Sequence, residues 1–150
     1  TAWSIRNDPR VVLWERTNIR HLTPEKLFKD GDQIPDFAVA DLSFISLKMV
    51  LPRIKSLLKS HRSELIVLVK PQFEVGKDKV GKGGVVRDHS LHAKAIEGVA
   101  NESKKYGWYP RGLIASPLKG PAGNQEYLLW MGDEVEGNVE IQKFLDRLCF

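Results

Sequence analysis

Leu65-Ile66-Val67-Leu68-Val69-Lys70-Pro71 is the stretch on which the fold turns. Five apolar residues in succession, rich in β-branching, make a run of strand length. The absence of alternation predicts burial on both faces, as in a parallel sheet. Lys70 closes the run, and Pro71 biases it toward an extended backbone, which fixes the direction the chain takes there.

Upstream, Leu47, Val50, Leu51, Ile54, Leu57 and Leu58 recur at helical spacing, and Pro52 inside that pattern predicts a kink or a restart. Phe37–Ala40 reads as a second strand, closed by Asp41. Thr23-Pro24-Glu25 carries the signals of a short helix start. Thr17–Leu22 is a weak strand candidate. Val11–Trp14 is a short apolar run that predicts a buried strand ending in Glu15. Downstream, 72–87 is a charged, glycine-rich loop. Asp88 or Ser90 caps a helix bearing Leu91, Ala95, Val99 and Tyr106, and Gly107 ends it. Trp108–Ser116 and Gln125–Met131 read as strands with no helix between them. Asn138 then caps a last helix carrying Ile141, Phe144, Leu145 and Leu148. The tryptophans are expected in the core or against the sheet. Strands alternating with helices argue for one α/β domain with a mainly parallel sheet, and the final strand pair for an antiparallel edge hairpin.

Three charges stand at or near the ends of apolar strands: Asp41, Lys70 and Glu126. An unpartnered charge buried there costs on the order of 3–5 kcal/mol, so the economical arrangement is that the three meet at one rim of the sheet. Ligands of open α/β sheets sit outside the carboxyl ends of the strands, where a lysine among carboxylates can move protons. Each residue also has a plainer reading. Asp41 can cap the next helix, with Ser43 or Ser46 sharing the task. Lys70 can lay its stem on the core and reach water. Glu126 can simply alternate outward on an edge strand. Glu15 fits the acid that accepts hydrogen bonds from a ribose, or a surface acid paired with Arg16 or Arg20. A lysine base needs desolvation or a second cation nearby, and the chain offers no obvious second cation.

The segment 76–83 has the glycine and lysine spacing of a nucleoside-triphosphate loop. Gly83 stands where a Ser or Thr must hold magnesium, and no helix begins there, which excludes that reading. A basic loop beside Lys70 is left, in which Lys77, Lys79, Lys82 and Arg87 can neutralise phosphates, or in which they are simply solvated. The net charge of +4 in 150 residues mildly favours a polyanionic partner. The single cysteine, Cys149, excludes an intrachain disulfide and fits a cytoplasmic protein. No apolar run is long enough to span a membrane. The four histidines lack metal-ligand spacing, so no metal is expected.

ERTNIR at 15–20, PDFAVADLSFISL at 35–47, LVKPQFE at 68–74, VGKGGVVRD at 80–88 and GPAGNQEYLL at 120–129 resemble, in order, the motifs of the hemolysin A/TlyA family. The resemblance covers nearly the whole chain. It implies a Rossmann-like, FtsJ-like methyltransferase with S-adenosylmethionine as cofactor and cytidine 2′-hydroxyls of ribosomal RNA, free or in ribosomal subunits, as substrate. Asp41, Lys70 and Glu126 match the last three members of the family's Lys-Asp-Lys-Glu set. Lys70 would activate the hydroxyl and the carboxylates would orient it. Glu15 matches the acid on the cofactor ribose, and Asp41 would lie near the cofactor's methionine end. The first lysine, the first strand and the glycine-rich cofactor loop of the family would precede Thr1. The 150 residues by themselves are therefore expected to bind S-adenosylmethionine weakly and to turn over nothing, and tight binding in an isothermal titration would overturn that. A noncatalytic RNA-binding or ribosome-assembly factor and a membrane-active hemolysin are the alternative functions. Amino-group methylation is disfavoured, because Asp41-Leu42-Ser43-Phe44 lacks the proline-shaped slot of that chemistry.

Overall fold

The computed structural model describes residues 1–133 and 140–148. Four strands form one sheet: β1 (Phe37–Ala40), β2 (Glu64–Val69), β3 (Tyr109–Ala115) and β4 (Tyr127–Gly132), in the order β1-β2-β4-β3. β1 and β2 are parallel, with Ala40 opposite Val67. β4 lies antiparallel to β2, with Val69 opposite Tyr127, and antiparallel to β3, with Ala115 opposite Tyr127. The expected C-terminal antiparallel pair is present, β4 inside the sheet and β3 at its edge, and parallel pairing is confined to β1 and β2.

The helices are α1 (Trp3–Arg6), α2 (Pro24–Leu27), α3 (Leu51–Ser56), α4 (Pro71–Glu74), α5 (His89–Lys104) and α6 (Ile141–Leu145). The pattern from Leu47 onward is broken as Pro52 predicts, a 3-10 turn at Leu47–Met49 being followed by α3 with proline in its first turn. Asp88 caps α5, its Oδ1 accepting from the Ser90 amide at 2.8 Å. Asn138, expected to cap the last helix, lies outside the described residues.

The core lies on one face of the sheet. Leu65, Val67 and Val69 of β2 and Leu129 and Met131 of β4 are fully covered by Ile96, Val99 and Ala100 of α5, by Leu51 and Ile54 of α3 and by Ile141 and Leu145 of α6. Ile66 and Leu68, on the opposite face, are only half-buried. The expectation that β2 is buried on both faces is thus corrected. Its even-numbered side chains share a face with Val39, Ile114 and Trp130, which are 72%, 57% and 39% exposed.

Two further expectations fail. Residues 11–14 form no strand: they run outside the sheet, and Val12 is exposed. Thr17–Leu22 holds a 3-10 turn, Ile19–His21, started by Asn18. A short apolar run makes a strand only where a neighbouring strand satisfies its backbone, and none flanks this one among the described residues. Of the tryptophans, Trp108 is in the core and Trp130 lies on the open sheet face, whereas Trp3 and Trp14 are exposed.

Candidate active site

Because β1 and β2 run parallel, the residues that follow them emerge at the same rim. Asp41 follows Ala40 and Lys70 follows Val69. The Lys70 Nζ lies 2.6 Å from Asp41 Oδ1 and donates to Ser43 Oγ at 3.1 Å. The lysine side chain is 11% exposed and the aspartate 70%, so the cation is sunk at the rim while the carboxylate opens outward. β4 returns antiparallel, and extending its register one residue past Val69–Tyr127 sets Glu126 across from Lys70. Glu126 is 5% exposed, and its Oε1 accepts from Gln72 Nε2 at 3.0 Å. Gly120 allows this packing: a β-carbon there would stand 2.6 Å from Glu126 Oε1. The structure therefore joins Asp41 to Lys70 in an ion pair and sets Glu126 on the adjoining strand with an amide, not the ammonium, as its donor.

The loop that carries Asp41 is pinned from below. Glu74, at the end of α4, accepts from Ser46 Oγ at 2.6 Å and from the Leu47 amide at 2.7 Å. Burial pushes its carboxyl above the usual range, against the pull of those two donors and of Lys48. Between these elements opens a cleft of about 1160 Å³ lined in part by Asn18, Ser43, Phe44, Gln72, Phe73 and Lys77. Phe44 is 90% exposed and has a left-handed backbone, φ +64°, an uncommon state for a bulky side chain. Its ring lies 5.2 Å from that of Phe73.

Glu15 stands apart from the sheet. Its carboxylate is held by Arg6, at 2.6 and 3.1 Å, and not by Arg16 or Arg20. Thr17 and Asn18, just beyond it, line the cleft. Lys77, Lys79, Lys82 and Arg87 are all exposed on the segment 76–87, and Lys77 lines the cleft as well. Gly83 and Gly84, at φ +80° and +78°, turn that segment back. Buried side chains fasten its far end: Asn124 donates to the Gly84 carbonyl at 2.8 Å and accepts from the Val86 amide at 3.0 Å. His92 Nε2 meets the Val86 carbonyl at 2.8 Å, so this nitrogen carries the proton. In the neutral ring Nδ1 then accepts from the Tyr127 hydroxyl at 2.7 Å. Burial pushes the Tyr127 phenol up to about 12. Among the described residues no cluster of His, Cys, Asp and Glu is arranged to hold a metal ion.

Sequence reasoning missed Gln72, Glu74, Asn124 and the partners of His92. Gln72, Glu74 and Asn124 are polar residues whose partners lie far away in the chain, and of the two partners of His92 only Tyr127 is distant. A signal lay in the run Lys70-Pro71-Gln72-Phe73-Glu74, where the polar residues recur at every second position as the chain leaves β2.

A sheet whose parallel strands deliver a lysine–carboxylate pair to their carboxyl ends, beside an open cleft, defines an α/β domain with its candidate site where open sheets of this class hold ligands. Within that class the chain belongs to the FtsJ-like methyltransferases, whose family model matches residues 1–133. It is 52% identical over 135 residues to the 16S/23S rRNA (cytidine-2′-O)-methyltransferase TlyA of Mycobacterium tuberculosis, covering 90% of this chain and 48% of that protein. It is 36% identical over 127 residues to Hemolysin A of Brachyspira hyodysenteriae, covering 85% of this chain and 51% of that one. The crystal structure of a hemolysin candidate from Lactococcus lactis superposes with a TM-score of 0.83 at 38% identity, over 97% of this chain and 70% of the other. The resemblance read from the motifs is thereby met under both of its names. The chain spans about half the length of the curated relatives it matches.

Proposed function

We propose that this chain is the catalytic part of an S-adenosylmethionine-dependent methyltransferase that modifies the 2′-hydroxyl of a cytidine in ribosomal RNA. The observation that carries the reading is the Lys70–Asp41 contact of 2.6 Å at the carboxyl ends of parallel strands, with Glu126 on the next strand. The relatives named as cytidine-2′-O-methyltransferases support the choice of acceptor.

Lys70 activates the ribose hydroxyl, and the carboxylates of Asp41 and Glu126 orient it. A positioned base contributes roughly 10²–10⁴-fold to such a transfer. Support for the cofactor comes from Asp41, which opens outward at the rim beside a cleft of about 1160 Å³; Glu15, whose exposed pair with Arg6 is worth at most about 1 kcal/mol, is assigned to the cofactor ribose. Bound there, S-adenosylmethionine supplies a methyl group activated by its sulfonium charge. Lys77, Lys79, Lys82 and Arg87 hold the RNA backbone through its phosphates. Ribosomal RNA or ribosomal subunits are the partners, and the cytoplasm is where the protein meets them. Among the described residues no helix is long and apolar enough to cross a membrane.

The test is methyl transfer to ribosomal subunits and to naked ribosomal RNA by the protein as its cell makes it. Lys70→Ala should lower transfer by at least about 10²-fold while the fold persists. Near-normal turnover in that variant removes Lys70 from the mechanism. A wild-type protein that binds RNA and transfers nothing is a noncatalytic assembly factor.

A further inference from the structure

The Gln72 amide stands between α4 and β4 in an arrangement that serves its neighbour at its own expense. Nε2 donates to Glu126 Oε1 at 3.0 Å. Oε1 of the same amide is buried and has no hydrogen-bond partner among the described residues. Turning the amide over would relieve nothing, because Oε1 would then face a carboxylate that can only accept. The geometry therefore leaves a buried acceptor unmatched in order to keep an N–H on Glu126. Glu126 depends on that N–H. It is 5% exposed, and Lys70, its register neighbour, gives its contacts to Asp41 and Ser43 instead. Gly120 packs against the same oxygen, where a β-carbon would stand 2.6 Å away and would not fit.

We propose that Gln72 is a positioning residue of the methyl transfer: it holds the Glu126 carboxylate in the orientation the reaction uses. Gln72 also lines the cleft, which puts this support between the strand rim and the cleft. The inference rests on the function proposed above. The side chain touches the carboxylate and acts through it.

The experiment uses the protein as its cell makes it and has two arms. In the first, Gln72→Met, which keeps length and loses the donor, lowers kcat on the order of ten- to a hundred-fold while the KM values for RNA and cofactor stay within about threefold. Its melting temperature stays within about 2 °C of wild type. Gln72→Glu, of the same size with an acceptor in place of the donor, falls at least as far. In the second arm, the side-chain amide resonances of Gln72 shift when Glu126 is replaced by Gln in the substrate-free protein. Unchanged kcat in either Gln72 variant, a loss confined to KM, or amide resonances indifferent to Glu126 overturns the proposal. A wild-type protein that transfers no methyl group overturns the functional reading alone, and the resonance arm still decides whether Gln72 holds Glu126.

Discussion

Two carboxylates set opposite pH dependences into this fold. Glu74 is pushed above its ordinary value of 4.5, chiefly by burial. A group whose folded value is raised favours folding while protonated and costs stability as pH climbs through that interval. Glu74→Gln should therefore gain on wild type as pH rises from about 4.5 through the raised value, as read by urea unfolding at several pH values. A difference that stays flat across that window would show that the carboxyl is not desolvated. Asp133 behaves in the other sense. Burial alone would raise it, but the Ser63 amide and hydroxyl and Lys55 together hold it below 3.8. Its stabilisation is present above that value and fades as pH falls through the lowered one. Asp133→Ala should cost about 1–3 kcal/mol at pH 7 and measurably less at the acid end of the range, where the share due to the lowered pKa has faded and the unmatched Ser63 groups remain. An equal loss at both ends would assign the effect to packing. Asp41, Lys70 and Glu126 were legible in the sequence because a charge on an apolar run is conspicuous by itself. Gln72 and Asn124 were not, since a neutral amide declares its role only through its partner, and for Gln72 that partner lies 54 residues away.

At the scale of elements, partnership decides what a sequence run becomes. β2 was readable from Leu65–Val69 because its apolar content is paired on both sides, with β1 and with β4. Val11–Trp14 has similar content and no neighbouring strand among the described residues, and it stays outside the sheet and exposed. α5 was readable from its cap and its spacing, but its role in holding the basic segment was not. That segment is fixed at Val86, whose amide goes to Asn124 and whose carbonyl goes to His92. The fastening gives the exposed cations of 77–87 a defined place beside the cleft despite two glycines in the left-handed region. Asn124→Ala removes the partners of the Gly84 carbonyl and the Val86 amide together, and leaving such groups unmatched costs about 1–3 kcal/mol each. Faster amide exchange at Val86 and faster proteolytic nicking within 76–87 are the expected results. Unchanged exchange at Val86 would mean that the His92 contact and the glycine turn hold the segment without Asn124.

Over the whole molecule, the one-sided core carries the largest consequence. Helices α3, α5 and α6 cover one face of the sheet, and the other presents Phe37, Val39, Ile114 and Trp130 to solvent. β1 adds an edge whose residues, Phe-Ala-Val-Ala, include no charge, proline or bulge to discourage further pairing. An uncharged edge beside an exposed apolar face is a site at which a sheet recruits other strands. The 150-residue chain should accordingly bind a hydrophobic dye while retaining its helical circular dichroism, and its apparent mass should rise with concentration in sedimentation. Val39→Lys puts a charge at the centre of both features. Val39 is 72% exposed and sits on the face away from the core, so the substitution should leave the unfolding free energy within about 0.5 kcal/mol. The same charge should suppress the rise in mass, because each added chain would have to desolvate it. A wild-type chain that stays monomeric and binds no dye at high concentration would show that the open face is closed in solution by other parts of the chain.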